Sequence, residues 1–434
     1  MLRRKIEKKL AEWKQRRDKK CLIVQGARQV GKTFSIRKFA KDKYTELLEI
    51  NFKDDPDAVE IFAGKLDADS LVTNMRLRFP KLKIQPGKTL IFLDEIQECP
   101  EAITSLKFWT EDRRYDVIAS GSLLGIDYKR ASSYPVGHVS YLKMYALDFE
   151  EFLWSLGVAE DIIEVLHGYF DEQSPVPVAM HSAMMEYFRL YLAVGGMPAV
   201  VWSYVNTKDF NIVDRIQREL LQDYQYDIAH YATAEEKVKA EKCFMSLSKQ
   251  LLDKENHKFQ YKDVEKGGRG QKYFSSVEWL LKANIIHCCN KVSDIQYDLS
   301  DYEDESFFRA YTADLSLLIG MKDFTLKNLI INNKLAGNTK GGLYECAVAD
   351  ILYKKGYKLY FYKNETTRKE VDFIIQKDGN VIPIEVKSGN TRATSLNSVF
   401  KKWPDIHAAY KFVDGNIGKE NNIITAPLYM AMFM

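Results

Sequence analysis

An eight-residue loop near the amino terminus constrains this chain more than any other feature of its sequence. It reads Gly26-Ala27-Arg28-Gln29-Val30-Gly31-Lys32-Thr33. An apolar run, residues 21–25, precedes the loop, and an amphipathic stretch, residues 34–44, follows it. Glycines let backbone N–H groups surround an anion, and the helix that follows adds the positive end of its dipole. The pattern predicts a strand, a phosphate-binding loop and a helix; an ordinary glycine-containing turn is the simpler alternative.

Two side chains of the loop suit nucleotide chemistry. Lys32 is long enough to reach the β- and γ-phosphates of a bound nucleotide, and the Thr33 hydroxyl can ligate Mg²⁺. We therefore expect residues 26–33 to hold the phosphates, with Lys32 acting in catalysis as well as in binding.

A pair of carboxylates ends the apolar run at residues 89–93. Buried parallel strands are continuous apolar runs, and they deliver polar residues to the carboxyl edge of a sheet. From this position Asp94 would support Mg²⁺, and Glu95 would polarise the attacking water as a general base. Alone, the pair could merely end a strand. Together with the upstream loop, it predicts nucleotide binding and hydrolysis.

The first 150 residues alternate between candidate strands and helical stretches. The candidate strands are residues 21–25, 47–52, 89–94, 116–120 and 140–147. This alternation predicts an α/β fold with a parallel sheet and helices on both faces. Ser120 ends the fourth strand, where its hydroxyl could lie beside the γ-phosphate as a catalytic sensor; a Ser-Gly turn is the alternative.

Composition and charge define a broad class. The 434 residues suffice for two or three domains, and 46% hydrophobic with 28% charged residues is typical of a globular protein. A net charge of +3 neither requires nor excludes nucleic acid. The six cysteines lack metal-site spacing. No apolar run reaches the ~18 residues of a membrane span, so we expect a cytoplasmic protein without a membrane partner.

The middle of the chain is expected to be mainly helical. Aromatic-rich amphipathic stretches up to residue 235 suggest a lid over the nucleotide. Two short helices, a glycine-rich turn at 267–270 and an extended run at 285–292 then predict a winged-helix module. The residues expected on the exposed side of its second helix are Lys272, Ser275, Ser276 and Lys282. They could touch nucleic-acid phosphates, although such modules also serve only for packing.

The carboxyl-terminal region carries a second group of acids. The candidates are Glu345 on a helix, Asp372 on a strand, and Glu385 with Lys387 on the next strand. Residues two apart share a strand face, and a tight turn at 377–380 can fold Asp372 alongside. Asp372 and Glu385 would then hold Mg²⁺, while Lys387 stabilises charge on a scissile phosphate. The alternative is a surface hairpin with charged outer positions.

These motifs together resemble those of prokaryotic AAA-type P-loop ATPases whose carboxyl-terminal half is a domain of unknown function ending in a restriction-endonuclease-like, PD-(D/E)XK fold. The matching segments are residues 26–33, 94–97, 120–125, 147–153, 258–259, 268–269, 370–373 and 384–389. The resemblance implies an additional-strand AAA fold and an ATP-binding protein of the bacterial or archaeal cytoplasm. One departure is His138, where relatives often carry Arg or Lys. A conventional arginine finger is therefore in doubt, and the remaining candidates are Arg113, Arg114 and Arg130.

We predict four parts of the chain. They are an AAA-type ATPase core (1–148), a helical lid or linker (149–235), a winged-helix module (236–318) and a restriction-endonuclease-like α/β domain (319–434). The predicted function is Mg²⁺-dependent ATP hydrolysis coupled to the binding or processing of DNA or RNA, in a chain that could form a homo-oligomer. The alternative is a signalling or scaffold ATPase whose nuclease-like domain is inactive and only binds a partner.

Overall fold

The computed structural model describes residues 2–121, 135–231, 236–253, 258–367, 369–389 and 394–434. The chain divides into two compact units. Residues 3–145 form nearly all of the amino-terminal unit, and residues 146–281 and 285–434 form nearly all of the carboxyl-terminal unit.

A parallel sheet organises the amino-terminal unit. Its described strands are β1 (Cys21–Gln25), β2 (Glu46–Asn51), β3 (Thr89–Asp94), β4 (Asp116–Gly121) and β5 (Val139–Lys143). Its helices are α1 (Ile6–Gln15), α2 (Lys32–Lys43), α3 (Ala68–Arg78) and α4 (Pro100–Asp112), with short 3-10 helices at Pro56–Phe62 and Ile96–Glu98. The strand order is β2-β3-β4-β1-β5, and every neighbouring pair is parallel. The predicted α/β sheet is confirmed, although β5 ends at Lys143 and not at residue 147.

The three central strands of this sheet show the burial that is typical of a parallel sheet. Every residue of β1, β3 and β4 is buried, as expected of strands covered on both faces. Helix α1 adds to this core with Ile6, Leu10 and Trp13, which lie on its one apolar face. All five strands begin at one edge of the sheet and end at the other, so the loops after β1, β3 and β4 meet at the carboxyl edge.

The carboxyl-terminal unit begins with helices and continues into a mixed sheet. Its helices are α5 (Phe149–Ser155), α6 (Glu160–Asp171), α7 (Val178–Val194), α8 (Pro198–Thr207), α9 (Phe210–Tyr231), α10 (Glu236–Leu252), α11 (Tyr261–Val264), α12 (Gly270–Lys282), α13 (Leu315–Gly320), α14 (Phe324–Ile331), α15 (Gly337–Lys354) and α16 (Thr394–Lys402). Its strands are β6 (Ile286–Val292), β7 (Glu303–Thr312), β8 (Leu359–Lys363), β9 (Glu370–Lys377), β10 (Asn380–Val386), β11 (Ala409–Val413), β12 (Gly418–Glu420) and β13 (Ile423–Pro427). Short 3-10 helices lie at Leu299–Tyr302 and Leu428–Phe433.

The strands of this unit form one sheet across a predicted boundary. In the described residues the order is β12-β13-β11-β10-β9-β8-β6-β7. Strand β6 pairs in parallel with β8 and antiparallel with β7. The predicted domain boundary lies between residues 318 and 319. Strand β6, before this boundary, nevertheless pairs with β8, which lies after it. A single sheet therefore contains strands from both sides of that boundary.

One residue of the predicted phosphate-contacting surface is buried and not exposed. Ser276 is fully buried on α12, whereas Lys272, Ser275 and Lys282 are exposed. Ser276 follows the buried face set by Tyr273, Val277 and Leu280. Of the four residues predicted to contact phosphates, the two lysines and Ser275 therefore lie on the exposed side of α12.

Within the described parts of the chain, no helix has the length and apolar character needed to cross a lipid bilayer.

Candidate functional site

The loop between β1 and α2 has the backbone of an anion nest. Gly31 and Gln29 lie in the left-handed region, with φ of 96° and 62°. The Met144 N–H donates to the Gln25 carbonyl over 2.7 Å, which brings the chain after β5 against the loop. A Cβ at Gly26 would overlap the Met144 carbonyl oxygen, so this position requires glycine.

Lys32 is buried inside this loop. Its Nζ donates to the carbonyl oxygens of Gly26 and Ala27, each at 2.9 Å. Burial lowers the pKa of Lys32, and the more distant carboxylates of Glu95 and Asp94 oppose this shift only in part. In the described chain no carboxylate lies within salt-bridge distance of Nζ. A buried ammonium paired only with carbonyls is poorly compensated, and an anion beside it would restore the balance.

Asp94 lies at the carboxyl edge of the sheet, where it contacts residues from the start of α2 and from β4. Its Oδ2 accepts a hydrogen bond of 2.9 Å from Thr33 Oγ1, and its Oδ1 accepts from the Ser120 hydroxyl. The Glu95 N–H also donates to Oδ1 over 3.1 Å. The hydroxyl of Thr33 and the carboxylate of Asp94 are oxygen donors of the kind Mg²⁺ prefers, so these residues fit that ion.

Glu95 is held by its backbone and by a neighbouring amide. Its backbone lies in the left-handed region, with a φ of 52°. Gln97 Nε2 donates to Glu95 Oε2. A Cβ at Gly121 would overlap Gln97 Oε1, so the glycine makes room for this amide. Gln97 thus orients the carboxylate that the sequence analysis expected to act as general base.

A second cluster of charges lies in the carboxyl-terminal unit. The turn at Asp378 and Gly379, with φ of 49° and 78°, folds β9 back onto β10 as expected for a two-residue hairpin. The Val386 N–H donates to Asp372 Oδ2 over 2.8 Å, and Lys387 Nζ lies 2.9 Å from Glu385 Oε1. The hairpin therefore brings Asp372 beside the strand that carries Glu385 and Lys387.

Two carboxylates of this cluster are incompletely compensated. Burial raises the pKa of Asp372 to about 7; Glu345 adds to this rise, while Lys387 and Arg309 oppose it. Glu385 is 1% exposed, and its Oε2 has no hydrogen-bond partner among the described residues. These features suit a cation at Asp372 and Glu385. However, no group of three or more His, Cys, Asp or Glu side chains in the described residues is arranged to hold a metal ion.

Arg309 on β7 supplies a cation to the same cluster. It is 2% exposed, and its Nη1 donates to Glu345 Oε1 over 2.7 Å and to the Asp372 carbonyl over 3.3 Å. Its Nη2 donates to Glu370, and the Tyr311 hydroxyl donates to Glu345 over 2.6 Å. Glu345 is thus already paired with protein groups, whereas Glu385 Oε2 is not; Arg309 Nη2 also lies 4.0 Å from Asp372 Oδ1.

Three family models match parts of the chain. Residues 185–328 match a domain of unknown function, DUF8612, and residues 340–429 match another, DUF4143. Residues 18–153 match an AAA domain, a segment that contains the phosphate loop, Asp94, Glu95 and Ser120. We therefore call residues 18–153 the AAA domain.

Solved structures resemble the chain distantly. PCH-2 of C. elegans is 13% identical, with 47% of this chain and 62% of that chain covered and a TM-score of 0.26; the match thus spans less than two thirds of PCH-2. Aeropyrum pernix ORC1 in complex with DNA is 11% identical, with 77% and 95% covered and a TM-score of 0.28. AMPPCP-bound DnaA from Aquifex aeolicus is 11% identical, with 63% and 85% covered and a TM-score of 0.29. These scores are too low to carry over fold or function. None of the curated proteins matches the chain.

The candidates for an arginine finger lie away from the phosphate loop of the AAA domain. Arg113 and Arg114 precede β4, and His138 precedes β5, so all three are at the amino edge of the sheet. Arg114 is paired with Asp112 and Asp69. Arg130 lies outside the described residues, as does the segment 122–125 of the matched motifs.

Two site residues, Gln97 and Arg309, were not predicted from the sequence. Gln97 was part of a matched motif, and its spacing two residues after Glu95 was the available signal. Arg309 stands in the apolar run 307–311, where an isolated charge in a strand indicates a buried partner. Its partner Glu345 is 36 residues away, so sequence spacing could not identify it.

Proposed function

We propose that this chain binds and hydrolyses ATP through its AAA domain. The observation that carries the proposal is the buried Lys32 ammonium, which has only the carbonyls of Gly26 and Ala27 as hydrogen-bond partners. Phosphate oxygens would replace these carbonyls as acceptors and supply the missing negative charge. The backbone amides of residues 26–33 and the amino terminus of α2 add further attraction for the phosphates.

Mg²⁺ would be held by Thr33 and Asp94. Their contact at 2.9 Å supports this assignment because it places a hydroxyl and a carboxylate side by side at the carboxyl edge. When bound, the ion would neutralise charge on the phosphates. Ser120 donates to the same carboxylate, so it would keep Asp94 oriented and act as the sensor of the γ-phosphate.

Glu95 would take a proton from the attacking water. General-base catalysis needs a carboxylate within hydrogen-bond reach of that water and in a fixed orientation. The left-handed backbone of Glu95 and the hydrogen bond from Gln97 support this role. Gln97 would be a positioning residue, since it acts on the water only through Glu95.

We further propose that hydrolysis is coupled to DNA or RNA. The supporting observation is the pairing of incompletely compensated Asp372 and Glu385 with Lys387, which suits a divalent cation beside a phosphate. In this proposal residues 149–235 act as a lid or linker, and residues 236–318 act as a winged-helix module. Strands β6 and β7 of that module also extend the sheet of the nuclease-like residues 319–434. Assembly into a homo-oligomer would let one chain complete the nucleotide site of another.

One observation favours the alternative of an inactive nuclease-like domain. Arg309 neutralises Glu345, so a protein cation occupies part of the carboxylate cluster. A chain of this kind would use ATP turnover for signalling or scaffolding, and the cluster would serve for stability or for binding a partner.

The test uses the intact chain, because a fragment starting at residue 319 would lack β6 and β7. ATP hydrolysis is measured with Mg²⁺, alone and with single-stranded DNA, duplex DNA or RNA, for the native chain and Lys32→Ala. Cleavage of the same nucleic acids is measured with Mg²⁺ or Mn²⁺ for the native chain and Asp372→Ala. Stimulated hydrolysis and cleavage lost in Asp372→Ala support the main proposal. Hydrolysis without cleavage supports the alternative, and no hydrolysis overturns both.

A further inference from the structure

The amino edge of the parallel sheet, opposite the phosphate loop, is strongly basic. Basic residues precede each of the first four described strands and lie at or near this edge. They are Lys19 and Lys20 before β1, Lys41 and Lys43 before β2, Lys81, Lys83 and Lys88 before β3, and Arg113 and Arg114 before β4. Since all the strands are parallel, their amino ends meet along one edge. The fold therefore gathers cations from separate parts of the sequence.

The first helix extends this basic edge. Residues 3–20 contain ten basic and three acidic residues, although the whole chain has a net charge of only +3. Helix α1 buries Ile6, Leu10 and Trp13, which leaves Lys8, Lys9 and Arg16 exposed. The positive charge is therefore concentrated on this surface and not spread over the molecule.

A small cavity lies within the basic edge. Its volume is about 80 Å³, and its lining includes Arg17, Lys20 and Arg113 together with Trp13 and Trp109. Within the described residues, the side chains of Arg17, Lys20 and Arg113 have no ion pair or hydrogen bond. This volume holds several water molecules, and a phosphate group is of similar size.

Three acids near the cavity are already engaged. Asp116 is buried and accepts from Lys19 and from the Tyr44 hydroxyl at 3.0 and 2.8 Å. Asp112 and Asp69 are bound by Arg114. Besides burial, the nearby charges of Lys19 and Lys43 lower the pKa of Lys14, while Asp116 opposes the shift, which indicates that cations are crowded here. The exposed Asp18 and Asp42 are outnumbered by the lysines and arginines of this edge, so its net charge is positive.

We propose that the amino edge of the AAA sheet binds the phosphate backbone of a nucleic acid, with one phosphate at the cavity bordered by Arg17, Lys20 and Arg113. Among residues 2–20 no large hydrophobic side chain is exposed, and the exposed Val136, which precedes β5 at this edge, is aliphatic and not aromatic. A protein partner would need apolar or aromatic anchors at the centre of its interface. Backbone binding needs only charge, and it carries no sequence preference. This surface would bind the DNA or RNA to which ATP hydrolysis is proposed to be coupled, and the inference rests on that proposed function.

The test is the salt dependence of binding by the full chain. Fluorescence anisotropy with a labelled single strand and a labelled duplex is recorded for the native chain and for the triple variant Arg17→Gln, Lys20→Gln, Arg113→Gln. The control removes three exposed lysines elsewhere, Lys65→Gln, Lys237→Gln and Lys334→Gln. Each lost phosphate contact takes about 0.7 to 0.9 from the slope of log K against log salt. Because the three side chains border one phosphate, we expect the triple variant to lose roughly one unit of slope and about tenfold in affinity at moderate salt, while the control keeps both.

Each outcome has a distinct meaning. A triple variant indistinguishable from the control overturns this surface and leaves the proposed coupling to nucleic acid intact. A native chain that shows no salt-dependent binding overturns the surface and the coupling together. Competition by polyglutamate as effective as that by nucleic acid overturns the nucleic-acid assignment in favour of an acidic protein. Retained ATP binding by the triple variant shows that its unit is folded, because the phosphate loop lies at the opposite edge.

Discussion

Thr33 Oγ1 donates a hydrogen bond of 2.9 Å to Asp94 Oδ2, although the two residues are 61 positions apart. Thr33 begins the helix after β1, and Asp94 ends β3. The strand order β3-β4-β1 places both at the carboxyl edge, with Ser120 of β4 between the strands they follow. The contact therefore depends on the topology of the sheet, and it joins the phosphate loop to the acidic strand.

Lys32→Ala and Glu95→Gln are expected to separate ATP binding from ATP turnover. Lys32→Ala removes a charge-assisted contact to the phosphates, so its affinity should fall by roughly 10- to 100-fold or more. Glu95→Gln keeps the loop intact but removes the base, so its Kd should be unchanged while kcat falls by about 100-fold or more. Nucleotide binding is measured by calorimetry and turnover by phosphate release. Normal turnover by Glu95→Gln would remove Glu95 from the mechanism.

Gln97→Ala should lower kcat by about tenfold with little change in KM, because Glu95 loses the amide that orients it. Gly121→Ala should have the same effect, since a Cβ there displaces the Gln97 amide. Gln85→Ala, an exposed glutamine of the same unit, serves as the control. The measurement is steady-state ATP hydrolysis. A change in KM alone, or no change in either variant, would contradict the positioning role.

Asp372→Asn should make the stability of the chain less sensitive to pH. The pKa of Asp372 is about 7 in the folded chain and about 3.9 when unfolded. Between these values the folded state keeps a proton that the unfolded state loses, so stability falls as pH rises. The native chain should lose up to about 1.4 kcal/mol per pH unit relative to Asp372→Asn across this window, and nothing more above it.

Urea unfolding between pH 4 and pH 8, with EDTA present, measures this difference. Asp378→Asn, in the exposed turn of the same hairpin, is the matched control and should follow the native chain. Parallel pH profiles for the native chain and Asp372→Asn would show that Asp372 is ionised in the folded state throughout.

Arg309→Met should destabilise the chain by about 3–5 kcal/mol, because it leaves the buried Glu345 carboxylate without its cation. The double variant Arg309→Met, Glu345→Gln should recover part of this loss, since the buried charge is then removed. Urea unfolding of the native chain, both single variants and the double variant completes the cycle. Additive effects would show that Arg309 does not stabilise Glu345.

The sequence predicted the parts of this fold that depend on local patterns. Five strands of the amino-terminal unit were predicted from apolar runs, and the turn at Asp378 and Gly379 from its residue types, because both signals act within a few residues. It predicted less well where burial depends on distant partners. Ser276 was expected to be exposed but is buried, and the pairing of β6 with β8 was not predicted from the sequence.

The sequence by itself determined the phosphate loop, the acidic pair after β3 and the carboxylates of the hairpin β9–β10, because short-range spacing specifies their chemistry. Only the tertiary structure decided which groups meet them. Gln97 reaches Glu95 because Gly121 leaves room, and Arg309 on β7 reaches Glu345 on α15 across 36 positions of sequence. The basic amino edge likewise exists only after folding, since parallel strands bring their preceding cations to one line. Long-range contacts of this kind depend on strand order, which no local pattern in the sequence specifies.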